Sequence, residues 1–477
     1  MEFSNLIDSG RIAAGGLKDF AVGLVSPTLR LGVTGLSRSG KTVFITALVQ
    51  AMLHGGRLPA FEAMAQGRIA RVFLEPQPDD DLPRFGFEDH LAALDGKDRR
   101  WPDGTRRISQ LRLTVEYAPR GFLARNFSRG KLHIDIVDYP GEWLLDLPLL
   151  DMSYAEWSAA TVTASRAEPR ASRAGDWHGH LMGLDAMGPA DERAAIRAAG
   201  LFTAYLASCR DDVVSLSALP PGRFLMPGDF AGSPLLAFAP LDIAAAAEFP
   251  KGSLGALMQR RYDSYVAKIV KPFFFGHFAR LDRQIVLVDT LTALNAGASA
   301  VKDLQAALIQ ILTCFRHGSN SLFSAVIGRR IDRILFAATK ADMLHHTSHD
   351  RLEAILKQIV EEAMTRAEYS GATLDVAAIA AIRATREASV KVKGETLDCI
   401  AGIPQKGETI DKTVFDGETE AALFPGDLPQ DPTSALDGSL EGHLRFLRFR
   451  PPPMKGKQFP HIRLDRALEF LFGDRFA

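Results

Sequence analysis

The stretch Gly35-Leu36-Ser37-Arg38-Ser39-Gly40-Lys41-Thr42 constrains this chain more than any other, because it joins two segments of different periodicity. Ahead of it, Thr28 to Thr34 alternates as a strand does. Behind it, Lys41 to Leu53 repeats apolar residues at helical spacing. Strand, glycine loop, helix is the arrangement that seats phosphate oxygens on backbone N–H groups at a helix N-terminus. Gly35 and Gly40 let the loop turn, Lys41 reaches the β and γ phosphates, and the Thr42 hydroxyl offers a ligand to Mg²⁺. The phosphate-binding candidates are therefore Gly35, Ser37, Arg38, Ser39, Gly40, Lys41, Thr42 and Val43. A plain glycine turn with a solvated lysine would leave the flanking strand and helix unaccounted for.

Two later strand ends complete a nucleotide pattern. Asp138-Tyr139-Pro140-Gly141 closes the run Lys131 to Asp138, where an acid can hold magnesium and the Gly141 N–H can reach a γ-phosphate. Thr339-Lys340-Ala341-Asp342 follows a second buried run, and a carboxylate there can accept both N1–H and N2–H₂ of guanine, which adenine does not offer. Asparagine is the usual first residue of that motif; threonine replaces it here. Thr105 is the one threonine between the loop helix and the next strand, which makes it the candidate switch ligand to magnesium, or else an ordinary loop residue. Ala384 could present its N–H to the guanine carbonyl, or simply mark a strand exit. Glu142 could position the attacking water, or be a surface acid. Arg38, inside the phosphate loop, could fold over the triphosphate and stabilise charge developing in hydrolysis, or point to solvent. Arg38, Lys41 and Glu142 are thus the catalytic candidates, and Thr42, Thr105 and Asp138 the metal ligands. Lys340, Asp342, Ala384 and Gly141 join the loop as nucleotide contacts. His133, between Leu132 and Ile134, reads as a strand residue.

The wider pattern predicts an α/β fold: a Ras-like P-loop core with a mostly parallel, doubly wound sheet. Arg107 to Tyr117 and Lys131 to Asp138 read as an antiparallel hairpin, with irregular chain from Pro59 to Asp103 before it. Gln284 to Asp289, Ile334 to Ala338 and Leu374 to Ile382 read as further strands, separated by helices over Ala298 to Phe315 and Leu352 to Ala367. Segment boundaries follow: an amphipathic stretch over 1–28, core over 29–142, a mainly helical insertion over 143–281, core again over 282–393, a second insertion over 394–458 and a closing helix within 459–477. The second insertion is expected to hold a few strands, including His443 to Phe449. The amphipathic stretch either packs on the core or makes peripheral contact with a membrane surface.

Composition excludes several classes. A chain of 477 residues with formal net charge −1 carries no overall electrostatic footprint for nucleic acid, so none is expected as a partner. Three cysteines, Cys209, Cys314 and Cys399, are too scattered for a disulfide framework or a zinc site. No apolar run is long enough to span a bilayer, and the N-terminus lacks a secretory pattern, so a cytoplasmic location is expected.

Long runs beyond the nucleotide motifs point to a family. GLSRSGKTVFITALV at 35–49, DYPGEWLLDLP at 138–148, PGRFLMPGDFAGSPLL at 221–236, VLVDTLTALNAG at 286–297, FAATKADML at 336–344 and FPHIRLDRALEFL at 459–471 together resemble the YcjX-like family of bacterial GTPases. The resemblance spans nearly the whole chain. It implies a Ras-like GTP-binding core with insertions and a link to bacterial stress responses, with GTP or GDP and Mg²⁺ as ligands. The phosphate loop is also similar to the GLYRTGKS-type loop of guanylate-binding proteins, in which an arginine at the place of Arg38 is catalytic. Three functions are compatible with these residues: a GTP-hydrolysing switch with an unidentified protein effector, a nucleotide-gated scaffold with negligible turnover, and an ATP-dependent phosphotransferase. The third leaves Thr339 to Asp342 without a role.

Overall fold

The computed structural model describes residues 27–35, 39–104, 107–119, 130–210, 216, 218–313, 331–368, 372–392, 394–410 and 412–476. The amphipathic stretch before residue 27, Ser37, Arg38 and Thr105 lie outside the described residues.

Seven strands form the main sheet: β1 (Thr28–Gly35), β2 (Ile69–Glu75), β3 (Ser109–Tyr117), β4 (Gly130–Asp138), β5 (Arg283–Val288), β6 (Arg333–Ala338) and β7 (Thr373–Ala378). Their order is β2-β3-β4-β1-β5-β6-β7. Strands β4, β1, β5, β6 and β7 run parallel, while β3 is antiparallel to both β2 and β4. The expected hairpin is present, with β4 continuing into the sheet beside β1.

Alternation along the strands feeds two apolar layers. Ile285 and Leu287 of β5 face helices α1 (Lys41–His54) and α8 (Leu464–Phe472), whereas Val286 and Val288 face α6 (Ala298–Thr313) and α7 (His349–Glu368). Every residue of β5 is buried, as a central parallel strand covered on both faces requires. Each such Val, Leu or Ile contributes on the order of 1.5–3 kcal/mol by leaving water.

Three sequence expectations fail. Pro59 to Asp103 is not irregular: it contains β2 and the helix α2 (Phe87–Asp95). As an edge strand, β2 is only partly covered and carries Arg71 and Glu75, which blurs its alternation. His443 to Phe449 forms no ladder strand. Leu444 and Phe446 pack into one apolar cluster while Leu447 and Phe449 pack into another, and the segment's ladder contact is a lone bridge from Phe449 to Pro404. Strand β7 ends at Ala378, short of Ile382.

Between β4 and β5 the chain passes through helices α3 (Tyr154–Ser165), α4 (Glu192–Cys209) and α5 (Leu254–Tyr265). They enclose an aromatic cluster in which Trp157 stacks on Tyr262, with ring centroids 5.3 Å apart. Past β7, β8 (Arg386–Val392), β9 (Glu395–Gly402) and β10 (Ala421–Leu423) make a separate antiparallel sheet in the order β10-β9-β8.

Candidate functional site

Register brings the predicted motifs to one edge. Val33 pairs with Asp138 and Gly35 with Leu287, and Val288 with Ala338, so the loops leaving β1, β4, β5 and β6 open side by side at the carboxyl ends of parallel strands. That edge, where the chain crosses from one side of β1 to the other, is where open α/β sheets bind ligands.

At the phosphate end, the two glycines have separate reasons. A Cβ on Gly35 would stand 2.4 Å from both the Leu287 carbonyl oxygen and Ser39 Oγ, so only glycine allows the loop to close on β5. Gly40 precedes α1 with φ of 82°, a left-handed conformation that glycine adopts without a steric cost. No side chain caps α1 and its first turn holds no acid, which leaves its N-terminal amides and the positive end of the helix dipole for an anion. Lys41 folds back, buried, and its Nζ donates to the Gly35 carbonyl at 2.8 Å. Ser39 Oγ is buried with no hydrogen-bond partner among the described residues. Val43 follows in the first turn of α1, half-buried.

The magnesium candidates lie beside this loop. Thr42 is buried and its Oγ1 contacts the Asp103 carbonyl at 3.4 Å, which brings Asp103 to the start of α1. Asp138 is buried at the end of β4. Threonine hydroxyl and carboxylate are the hard oxygen donors that Mg²⁺ takes, and the uncapped helix supplies the seat for the phosphates it would accompany.

After Asp138 the chain winds as a tight helical turn over Gly141–Asp151. Glu142 is buried there and its Oε1 pairs with Arg210 Nη2, at the end of α4, at 2.8 Å. Its carboxylate is held by the helices between β4 and β5. Asp146, four residues on, accepts from the Gly222 N–H at 2.6 Å and from the Tyr265 hydroxyl at 2.5 Å. Arg223 stacks over Trp143 at 3.2 Å. Gly222 is packed so closely that a Cβ would meet the Glu142 carbonyl oxygen at 1.8 Å.

At the opposite end, Asp342 and Ala384 meet. The Ala384 N–H donates to Asp342 Oδ2 at 2.8 Å, and the Thr385 hydroxyl donates to the Asp342 carbonyl. Burial pushes the Asp342 carboxyl up to about 6, an effect only partly offset by the Ala384 N–H. Lys340 adopts φ of 61° and its ammonium pairs with Asp289, the residue that caps the helix after β5. Asp289 and Thr385 escaped the sequence reading, although each lies at a strand exit on this same edge. Arg210 and Asp146 carried no local signal at all, because their partners are 68 to 119 residues away. His133 is a strand residue, its Nδ1 sharing a hydrogen bond with Thr114 Oγ1.

Among the described residues, no helix is long and apolar enough to cross a membrane. The sequence profile of the YcjX-like family, DUF463, matches residues 29–476. Over 458 residues the chain is 39% identical to the Ras-like GTPase YcjX of Escherichia coli (strain K12), covering 94% of this chain and 96% of that protein. It is also 36% identical, over 473 residues, to the Ras-like GTPase YcjX of Shewanella oneidensis, covering 94% of each.

Proposed function

Because the chain belongs to the YcjX-like family, we propose that it binds GTP with Mg²⁺, hydrolyses it to GDP and phosphate, and acts as a nucleotide-dependent switch. The observation that carries this reading is the shared sheet edge. An uncapped helix N-terminus with Lys41 stands at one end, and the bonded pair Asp342 and Ala384 at the other. Guanine would take over both members of that pair, its N1–H and N2–H₂ donating to the Asp342 carboxylate and its O6 accepting from the Ala384 N–H. Lys41 would exchange the Gly35 carbonyl for β- and γ-phosphate oxygens, and Ser39 Oγ would gain a partner. Thr42 and Asp138, with Thr105, would hold the magnesium, which when bound neutralises charge developing on the phosphates. Water attacks the γ-phosphorus as the bond to the β-phosphate oxygen breaks. Arg38, in the loop itself, would stabilise the charge that moves onto that oxygen.

A scaffold with negligible turnover is the second reading, and one observation favours it: Glu142, offered by sequence as the water-positioning acid, is bound to Arg210. In that case nucleotide state would act through the contacts of Gly141–Asp151 with the helices rather than through product formation. A role in bacterial stress responses, which the sequence resemblance implied, is the cellular context proposed for either.

Fluorescent GTP and ATP analogues, titrated against the full chain, test the nucleotide. Tighter binding of GTP is expected, and equal or tighter ATP binding removes the guanine assignment. Single-turnover hydrolysis separates the two readings. An Arg38→Ala variant should bind normally and turn over at least about a hundredfold more slowly, whereas a wild-type chain without measurable phosphate release is a scaffold.

A further inference from the structure

Two histidines lie in the turn between Asp342 and α7 and a third, His349, opens α7, and they serve different ends. His349 is buried, and its Nε2 hydrogen-bonds the Ala341 carbonyl at 2.9 Å, which ties the turn to α7. His345 and His346 instead meet the small sheet. His346 Nδ1 stands 3.0 Å from Glu387 Oε2 on β8. His345 Nδ1 stands 3.5 Å from Asp398 Oδ2 on β9 and 3.0 Å from the Thr347 hydroxyl. One donor atom from each of His345, His346 and Glu387 lies within 4.8 Å of the other two. The strand register places Glu387 opposite Ile400 and Ser389 opposite Asp398, so Glu387 and Asp398 are diagonal neighbours on one face of the sheet.

We propose that His345, His346 and Glu387, with Asp398 as a further ligand, bind a divalent transition-metal ion of the zinc, cobalt or nickel kind. Metal–ligand bonds of about 2.0–2.2 Å put tetrahedral donors roughly 3.3–3.6 Å apart, and the two histidine–carboxylate pairs stand near that spacing, at 3.5 Å and 3.0 Å. The wider separation would close by rotation of His346, whose side chain is 60% exposed and whose ring lies 4.4 Å from that of His345, centroid to centroid. Imidazole nitrogens combined with carboxylates suit zinc, cobalt and nickel, whereas magnesium and calcium take oxygen throughout. Arg383 Nη2 donates to the other oxygen of Glu387, Oε1, at 3.2 Å, which orients the carboxylate and leaves Oε2 facing His346.

The location gives the ion a consequence. His345 and His346 follow Asp342 directly, and β8 begins just after Ala384 and Thr385. A metal would therefore clamp together the two segments that meet in the Asp342–Ala384 bond. Its effect on nucleotide affinity rests on the guanine reading above, but the metal site does not.

The test is a Co²⁺ titration of the tag-free full chain, freed of metal by chelator dialysis and without nucleotide, followed by ligand-field absorption in the visible. One equivalent should bind with an absorption typical of nitrogen ligation, and Zn²⁺ should displace it. His346→Ala and Glu387→Gln should each weaken binding at least about tenfold, while Thr42→Ala, which removes a donor at the phosphate end, should leave the absorption unchanged. Histidine-selective NMR on the unmutated protein gives a second readout: Zn²⁺ should shift the ring signals of His345 and His346 and spare buried His349. Absence of a cobalt absorption, wild-type affinity in folded His346→Ala and Glu387→Gln, or unshifted His345 and His346 signals would overturn the site. All of these hold or fail whether or not the chain prefers GTP.

Discussion

The segment after β4 and the turn after β6 each bury one aspartate whose carboxyl is pushed up to about 6 by loss of water, but the two are held differently. Asp146 has both oxygens occupied by other parts of the chain, the Gly222 N–H on one and the Tyr265 hydroxyl on the other. Asp342 takes a single hydrogen bond from a distant element, at Oδ2, and lies on the edge shared with the phosphate loop. A buried acid saturated by the fold behaves as a fastener, here between Gly141–Asp151 and the aromatic helices. One with partial saturation at a strand exit has an oxygen left for a ligand, the role proposed above for Asp342. The same elevated pKa thus says little about role until the partners are counted.

Substitution can break this contrast. Asp146→Ala leaves the Tyr265 hydroxyl, the Gly222 N–H and nearby Arg223 unbalanced in the interior, and should destabilise the fold by about 4 kcal/mol. The midpoint of a urea titration reads this, and a loss below about 1 kcal/mol would deny Asp146 the role of fastener. The next effect is on pH. Because the native Asp146 carboxyl titrates near 6 instead of its ordinary 3.8, the folded state holds a proton that the unfolded state releases earlier. Stability should therefore fall as pH rises from about 4 to 6, by roughly 3 kcal/mol for this group. Asp146→Asn mimics the protonated acid, so subtracting its urea-derived pH profile from that of the parent should expose this slope. Parallel profiles would contradict it.

Asp342→Ala should spare stability by comparison and reduce GTP affinity about a hundredfold, with ATP affinity little changed. In the parent, GTP affinity should also drop as pH falls below about 6, because the protonated carboxyl no longer accepts both guanine donors. Loss of both nucleotides together would place Asp342 among the structural acids. The smallest change, Tyr265→Phe, removes one hydrogen bond from Asp146 and should cost about 1 kcal/mol by thermal denaturation without altering nucleotide binding.

Much of the sheet was legible because its strands are local patterns. β5 and β6 read as unbroken apolar runs, and β3 as strict alternation. β2 was hidden, since an edge strand with charged residues needs no apolar alternation once β3 supplies its hydrogen bonds. The segment 443–449 misled in the other direction: its period-two apolarity is satisfied by two separate apolar clusters, Leu444 and Phe446 in one and Leu447 and Phe449 in the other, without a sheet. At the site, Lys41, Thr42, Asp138 and Asp342 were readable from motif spacing, while Asp289, Arg210 and Thr385 were not.

By itself, the sequence determined what depends on neighbours in the chain: the glycine positions that let the loop turn, the strand exits that end in acids, and the family. Only the tertiary structure decided what depends on distant partners. It placed Ala384 on Asp342 and Lys340 on Asp289, and it turned Glu142 toward Arg210 and Asp146 into the aromatic helices. The reason is physical. Backbone conformation is set within a few residues by sterics and hydrogen bonding, but a side chain buried away from water must find its partner wherever the packed core happens to bring one.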